Sequence, residues 1–232
     1  MGFKDQNKRK AVTFSYDDGV TQDIRLIELL NKYGLKCTFN LNSERLGCKG
    51  MLTRNGLRIA HYKVHREDVP YIYEGHEIAA HSLTHPTLTT LEDTKVIRQV
   101  EQDRLNLSEI AGYEVVGMAY PNGPNDDRVA GLIREHTGIQ YARTVTLTDS
   151  FDTQKNLYRF DPNIYHMDFD RMMTMGRQFV ELKADKPQIL YIWGHSYEMD
   201  YFPDAWVKLE EFFKLISGRE DIYYGTNKEI LL

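Results

Sequence analysis

The sequence predicts an α/β fold built on a parallel β-sheet with helices on its outside. Strand-like and helix-like segments alternate about seven times along the 232 residues, as they do in folds assembled from βα units. The segment Gln188–Gly194 is almost entirely apolar, as expected for a strand covered on both faces. Side chains suited to catalysis follow several of the predicted strands, which favours a closed (β/α) barrel over an open, doubly wound sheet.

The first βα unit begins with Ala11–Gly19, where a short apolar run of high strand propensity ends in two carboxylates and a glycine. We expect a strand that brings Asp17 and Asp18 to its carboxyl end. The next helix is predicted to be capped by Thr21 and to stop at Gly34, since glycine commonly follows the last helical residue. Its apolar side chains recur at helical spacing: Leu26, Leu29, Leu30 and Tyr33.

Two further strands are predicted in the first half of the chain, Lys36–Asn42 and Glu77–His81. Between them, the polar segment Ser43–Gly75 has a weak pattern, and we expect a helix there together with an excursion around Asn55-Gly56. The helix after the third strand is predicted over Thr90–Ala111, before a terminating glycine.

The second half of the chain repeats the same alternation. The predicted strands are Val115–Tyr120, Tyr141–Val145, Gln188–Gly194 and Ile222–Tyr224. Amphipathic helices are expected between them, starting near Asp126 or Asp127, Phe169 and Trp206. The segment between Thr146 and Met167 has no regular pattern and is expected to be irregular.

The composition argues against several classes of function. The formal net charge is -5, and the 29 lysines and arginines form no basic stripe, so binding to nucleic acid or to an anionic membrane is not expected. Cys37 and Cys48 are the only cysteines, so the fold does not depend on a disulfide framework. No linker rich in Pro, Gly or Ser divides the chain, and residues 1–232 are predicted to form a single domain.

The sequence contains no segment expected to enter a membrane. Residues Met1–Lys10 are polar and charged, and no run of about 18 apolar residues occurs anywhere. This pattern fits a cytoplasmic protein and equally a secreted protein whose signal peptide has been removed. Cellular location and oligomeric state are therefore left open.

The adjacent carboxylates Asp17 and Asp18 are the first candidates for a functional site. Two neighbouring carboxylates in a confined pocket cannot both stay ionised unless a positive charge offsets their repulsion, and a divalent cation commonly does so. The alternative is an ordinary turn, because Asp-Asp-Gly sequences also build turns. The choice depends on whether other segments supply ligands.

Histidines at other predicted strand ends supply candidate ligands. His81 and His85 are four residues apart, one at the end of a strand and one in the turn beyond it. With a carboxylate they form the three-ligand set of a catalytic divalent metal, which keeps one position open. His61 and His65 have the same spacing but lie in a polar segment away from any predicted strand end, so we interpret them as a solvated surface pair. His195 follows the apolar strand and is expected to face the pocket.

These segments contain four motifs: T-F-S-Y-D-D-G, H-S-L-T-H, A-Y-P-N-G and I-W-G-H. In order and spacing, the motifs resemble those of the NodB-like polysaccharide deacetylases, carbohydrate esterase family four, from about Ala11 to His195 and beyond. The resemblance implies one catalytic domain with a distorted (β/α) barrel of about seven parallel strands and an active site at their carboxyl ends. It also implies metal-dependent removal of acetyl groups from an acetylated polysaccharide or amino sugar.

When the family's residue roles are assigned to the matching motif positions of this chain, the resemblance implies that Asp17 is the general base and His195 the general acid. It also implies that Asp18, His81 and His85 bind one divalent metal ion. General chemistry agrees, because a metal activates water and polarises a carbonyl group while a carboxylate accepts a proton and an imidazole donates one. Two imidazoles and a carboxylate favour Zn²⁺, with Co²⁺, Ni²⁺ and Mn²⁺ as alternatives.

The chain departs from the family pattern in two motifs. The third motif usually carries an arginine that orients the catalytic aspartate and a tyrosine after the proline, but here these positions hold Ala119 and Asn122. The family uses the backbone N–H after the proline to stabilise the oxyanion, and asparagine is expected to keep that role. The fourth motif has no clear counterpart. The partner of His195 is therefore unassigned among four candidates: Asp149, Asp152, Asp161 and His166.

Residues near the strand ends are candidates for contact with the substrate. We predict such contacts for Tyr120, Pro121, Asn122, Trp193 and Tyr197, with Tyr201 as a further candidate. Aromatic side chains at strand ends also commonly pack in the core, so that interpretation stays open.

Three functions remain compatible with the sequence. The first is removal of acetyl groups from an acetylated carbohydrate, and the second is a related hydrolysis, by an O-acetyl esterase or an amidase for small molecules. The third is a non-catalytic glycan-binding relative, which the departures at Ala119 and Asn122 keep open. The presence of Asp17 and His195 counts against it, because a binding module needs neither a base nor an acid.

Overall fold

The computed structural model describes residues 7–232. Its strands are β1 Lys10–Asp17, β2 Cys37–Leu41, β3 Met51–Arg54, β4 Leu57–Ala60, β5 Glu77–Ala80, β6 Gly117–Ala119, β7 Tyr141–Arg143, β8 Ile164–Tyr165, β9 Gln188–Gly194 and β10 Ile222–Tyr224. Its α-helices are α1 Asp23–Lys32, α2 Val69–Ile72, α3 Asp93–Ala111, α4 Asp127–His136, α5 Phe169–Glu181, α6 Ala205–Ile216 and α7 Asn227–Leu231.

Among residues 7–232, eight of the strands form one sheet in which all neighbours pair in parallel. The order is β7-β6-β5-β2-β1-β9-β8, and β10 pairs with β1. On one edge of β1, its first residues pair with β10 and its last residues pair with β2. All eight residues of β1 are buried, because neighbouring strands lie on both of its edges and packed side chains cover both of its faces.

The two edges of the sheet approach each other through the segment 160–165. The Phe160 backbone N–H donates to the Ala142 carbonyl (2.9 Å), and its carbonyl accepts from the Thr144 N–H (3.0 Å), which joins the segment to β7. A few residues later the same segment becomes β8 and pairs with β9. The predicted distorted (β/α) barrel is confirmed, with eight strands in the described part of the chain instead of about seven. The additional strand, β8, lies in the region predicted to be irregular.

Local signals explain most element boundaries. The Asp126 side chain accepts a hydrogen bond from the Val129 N–H (2.7 Å) and caps α4, and Gly112 ends α3 in the left-handed conformation (φ 73°). The predicted cap of α1 at Thr21 was wrong: the helix begins at Asp23, and its N-cap residue, Gln22, makes no side-chain capping hydrogen bond. The reason is that the Thr21 N–H donates to the Tyr62 carbonyl (2.8 Å) in an antiparallel contact.

The segment 43–75 contains the expected excursion, a β-hairpin formed by β3 and β4. Its turn residues Asn55 and Gly56 both have positive φ (50° and 78°), as the favoured two-residue hairpin turns require. The only α-helix between residues 43 and 75 is the four-residue α2. The hairpin lies between β2 and β5 in the chain and returns toward the carboxyl end of β1.

Other predictions concern the membrane and the cysteines. Among residues 7–232, no helix is both long and apolar enough to cross a membrane. Cys37 is buried and Cys48 is exposed, and both are free thiols. The polar character predicted for the N-terminus partly concerns residues 1–6, which lie outside the described residues.

Candidate active site

The predicted site residues meet at the carboxyl ends of the parallel strands. Nine of the ten line a single pocket of about 310 Å³: Asp17, Asp18, His81, His85, Tyr120, Asn122, Trp193, His195 and Tyr197. The tenth, Pro121, is buried beside them. Because β1, β5, β6 and β9 run in parallel, the residues that follow each of them reach the same end of the barrel.

The backbone is unusual at this pocket. Four residues other than glycine have positive φ there: Asp18 (84°), Ser82 (64°), His85 (66°) and Asn122 (61°). Such conformations cost on the order of 1–3 kcal/mol each and are maintained where the surrounding structure imposes them, commonly at functional sites. The structure therefore places strained backbone where the sequence predicts chemistry.

Asp18, His81 and His85 form a set of donors suited to a metal ion. One ligand atom from each lies within 4.8 Å of the others. The Nδ1 of His81 is 2.8 Å from the Ala119 carbonyl oxygen, so Nδ1–H donates and Nε2 carries the free lone pair. Burial lowers the pKa of His81 to about 4 and also lowers that of His85. Both imidazoles are therefore neutral, the form that binds a metal, and the donor set fits one divalent ion.

The turn that carries the two histidines is fixed from behind by α3. Asp103, which is buried, accepts a hydrogen bond from the backbone N–H of His81 (3.0 Å) and another from that of Ser43 (2.7 Å). The His85 N–H donates to the Ser82 hydroxyl (3.2 Å). The imidazole rings lie edge to face with their centroids 4.8 Å apart. Hydrogen bonds from the backbone N–H groups of His81 and His85 thus help to hold the two rings in position.

Asp17 is oriented by Arg143, a fully buried residue at the end of β7. The Arg143 guanidinium contacts both carboxylate oxygens of Asp17, and the Asn40 side-chain amide donates to Oδ1 (2.8 Å). Burial raises the pKa of Asp17, but the charge and hydrogen bonds of Arg143, together with the neighbouring histidines, outweigh burial and lower the pKa. The orienting arginine missing at Ala119 is thus supplied by another strand. Sequence reasoning missed it, although an arginine in a predicted buried strand was a usable signal.

His195 is paired with Glu198, three residues further along the chain. Its Nδ1 is 3.0 Å from the Glu198 Oε2, and its Nε2 is 3.9 Å from the Asp17 Oδ2. Burial by itself lowers the pKa of His195, but the hydrogen bond and charge of Glu198, together with the charges of Asp17 and Asp18, outweigh burial and raise the pKa to about 9. His195 is therefore protonated at neutral pH, with Nδ1–H held by Glu198 and Nε2–H directed toward Asp17.

Glu198 was not among the four candidates for the partner of His195. Asp149 pairs with Arg171, Asp152 with Lys186, and Asp161 accepts from Thr144, so none of the three is that partner. His166 belongs to the same network through its Nε2, 2.9 Å from the Glu198 Oε2. The signal in the sequence was the three-residue spacing of His195 and Glu198. His195 is the N-cap of a 3₁₀-helix at residues 196–201, and in such a helix side chains three apart lie above one another.

The aromatic candidates have different environments. Tyr120 is 1% exposed and its hydroxyl donates to the Tyr158 carbonyl (2.7 Å), so it offers little surface to the pocket. Trp193 packs against the Arg143 guanidinium, 4.7 Å from its ring centroid. Tyr197 lies beside the His195 ring, with centroids 5.2 Å apart. Trp193 and Tyr197 are partly exposed and offer the apolar surface of the pocket.

The interpretation of His61 as a solvated residue was wrong. Its side chain is 14% exposed, and its Nε2 lies 3.3 Å from the Asp18 Oδ2. His65, by contrast, is exposed as expected. The sequence analysis interpreted both histidines as surface residues because it had no signal that the chain after the hairpin returns to β1.

Comparisons with known proteins point to one family. The sequence model of the family described as "Polysaccharide deacetylase" matches residues 4–142. Chitin deacetylase 1 of Cryptococcus neoformans is 25% identical over 154 residues, which are 66% of this chain and 28% of that protein. The peptidoglycan-N-acetylglucosamine deacetylase PgdA of Listeria monocytogenes is 30% identical over 127 residues, 53% of this chain and 23% of that protein. The chain thus spans about a quarter of the length of these relatives.

Solved structures show the same fold. A family 4 carbohydrate esterase from Streptomyces lividans, in complex with acetate, aligns with a TM-score of 0.57 at 14% identity, covering 94% of this chain and 92% of that one. The peptidoglycan deacetylase PdaC from Bacillus subtilis aligns with a TM-score of 0.56 at 18% identity, covering 96% and 90%. The matched family model covers more than half of the chain and includes β1, β5 and β6. This protein belongs to the polysaccharide deacetylase family.

Proposed function

We propose that this protein is a metal-dependent hydrolase that removes acetyl groups from an acetylated polysaccharide or amino sugar, by N-deacetylation. One observation carries the proposal: an ionised carboxylate, Asp17, and a protonated imidazole, His195, face each other beside the donor set of Asp18, His81 and His85. Opposite protonation states in neighbouring groups are what a base and an acid need for one reaction.

The residues of the chain divide the chemistry between them. A divalent ion held by Asp18, His81 and His85, zinc by preference, supplies Lewis acidity toward water and toward a carbonyl group. Asp17, held by Arg143, accepts a proton from the attacking water, whose oxygen forms a bond to the acetyl carbon. His195 donates its Nε2 proton to the amide nitrogen as the carbon–nitrogen bond breaks. Acetate and a free amine are the products.

The proposal is tested by measuring acetate release across classes of acetylated glycans. Protein stripped of metal should be inactive, and adding back Zn²⁺, Co²⁺, Ni²⁺ or Mn²⁺ should restore release from an N-acetylated sugar polymer. Release from O-acetylated substrates alone would assign an esterase, and release from small amides alone would assign an amidase. Glycan binding without any release would identify a non-catalytic relative and contradict the proposal.

Exchange of Glu198 is expected to change the pH dependence of this activity. The reaction needs protonated His195, so wild-type activity should fall as the pH rises through about 9. Glu198→Gln removes the charge that raises the His195 pKa, and the alkaline limb of kcat/KM should move down by about 1 to 3 pH units. Asp149→Asn, an exchange of an exposed carboxylate paired with Arg171, serves as the control and should leave the profile unchanged. An unmoved limb in Glu198→Gln would remove Glu198 from this role.

The backbone N–H of Asn122 is expected to stabilise the oxyanion, so loss of its side chain should cost little. Asn122 has φ 61°, a conformation that glycine adopts freely, and Asn122→Gly should keep kcat within a few-fold of wild type. Replacing residue 122 by an α-hydroxy acid exchanges the N–H for an ester oxygen and should lower kcat by roughly 10²–10³. Proline is unsuitable because its ring holds φ near -65°. If Asn122→Gly is as damaging as the ester, the side chain carries the function.

A further inference from the structure

The chain that follows the β3–β4 hairpin returns to the metal-donor set. Residues 61–64 run antiparallel to residues 19–21: the Thr21 N–H donates to the Tyr62 carbonyl (2.8 Å), and the Val64 N–H donates to the Gly19 carbonyl (3.0 Å). In an extended segment, alternate side chains point to the same side. His61 and Lys63 therefore both reach Asp18, while Tyr62 points away and is exposed.

Lys63 fixes the backbone and one carboxylate oxygen of Asp18. It is 4% exposed, and its Nζ donates to the Asp18 carbonyl oxygen (2.6 Å) and to Oδ1 (3.1 Å). Asp18 has φ 84°, which a residue with a Cβ adopts only at a cost of about 1–2 kcal/mol. The bond to its carbonyl helps to hold this conformation, and with it the direction in which the carboxylate leaves the chain.

His61 hydrogen-bonds to the other carboxylate oxygen of Asp18. Its Nε2 is 3.3 Å from the Asp18 Oδ2, and its ring packs edge to face against Tyr197 with centroids 4.8 Å apart. The ring is thus held by packing while its N–H faces the carboxylate. With Lys63 at Oδ1 and His61 at Oδ2, neither oxygen of Asp18 rotates freely, and the carboxylate presents its remaining lone pairs in one direction.

We propose that His61 is a positioning residue that orients the carboxylate of Asp18 for metal binding, and that the segment after the hairpin is therefore part of the metal centre. The inference rests on the function proposed above. Groups that hydrogen-bond a metal-ligating carboxylate orient it, and their exchange typically weakens metal binding about 10- to 100-fold. Lys63 is the less suitable residue to exchange, because its removal would also remove a positive charge that repels the ion.

The test is titration of the stripped full chain with Co²⁺, followed by its visible absorption, which reports the geometry of the ligands. His61→Phe keeps a ring against Tyr197 but removes the donor, and should raise the Kd for Co²⁺ about 10- to 100-fold. His61→Gln restores a donor and should return the Kd to within a few-fold of wild type with the same absorption bands. His65→Phe, in the same segment but exposed, is the matched control and should bind like wild type.

The outcomes separate this inference from the proposed function. If wild type binds one Co²⁺ and His61→Phe binds it equally well, the positioning role is wrong and the proposed function stands. If His61→Gln loses Co²⁺ as completely as His61→Phe and its bands shift, His61 is itself a ligand and the positioning role is also overturned. If wild type binds neither Co²⁺ nor Zn²⁺, both the metal-dependent function and this inference fail.

Discussion

The double exchange His81→Ala, His85→Ala is expected to abolish both metal content and acetate release while the protein stays folded. The three donors lie within 4.8 Å of one another, and removing two of them leaves Asp18 as the only protein ligand, which is too few for a catalytic divalent site. Wild type should contain one ion per chain. Elemental analysis of the purified proteins measures the loss directly, and circular dichroism checks the fold.

Because His81 is buried and bonded to the Ala119 carbonyl, its exchange also removes packing. His85→Ala alone, at a side chain that is 21% exposed, provides the milder variant, and it should lose metal with little change in melting temperature. The matched control exchanges two exposed histidines, His65→Ala with His136→Ala, and should keep full metal content. Full occupancy in the His81, His85 variant would show that the ion binds elsewhere.

Exchange of the base or the acid is expected to reduce turnover while the metal is retained. Asp17→Asn and His195→Gln should each lower kcat by on the order of 10²- to 10⁴-fold, the usual contribution of general acid–base catalysis. Neither residue belongs to the donor set, so metal content should stay near one ion per chain. Activity near wild type in either variant, with metal bound, would remove that residue from the mechanism.

The structure adds an expectation about stability that separates the two exchanges. Asp17→Asn leaves the Arg143 guanidinium buried without its carboxylate, and breaking a buried ion pair in this way typically costs about 3–5 kcal/mol of unfolding free energy. Combining Asp17→Asn with Arg143→Met removes the unpaired charge and should recover much of the stability. Activity should remain low in the double variant, because the base is still absent. Recovery of both stability and activity would mean that Asp17 acts through stability alone.

Much of the fold and many residues of the candidate site could be predicted because their signals are local. Strand and helix periodicity, the terminating glycines and the cap at Asp126 are properties of neighbouring residues, and they placed most elements correctly. The candidate metal donors and the candidate base and acid could be selected because each follows a strand directly or by a few residues. In a parallel barrel the carboxyl ends of all strands meet at one face, so adjacency in the chain was enough to predict proximity in space.

What only the tertiary structure decided is how those residues are held. Arg143 contacts Asp17 from 126 residues away, and it does so because the sheet curls until β7 faces β1 across the barrel interior. His61 reaches Asp18 only because the hairpin sends the chain back along β1. The sequence by itself determined which side chains lie at the strand ends and could carry the proposed chemistry, since that depends on residue type and strand position. Their partners, and hence their protonation states, depend on contacts between segments distant in the chain, which have no local signal.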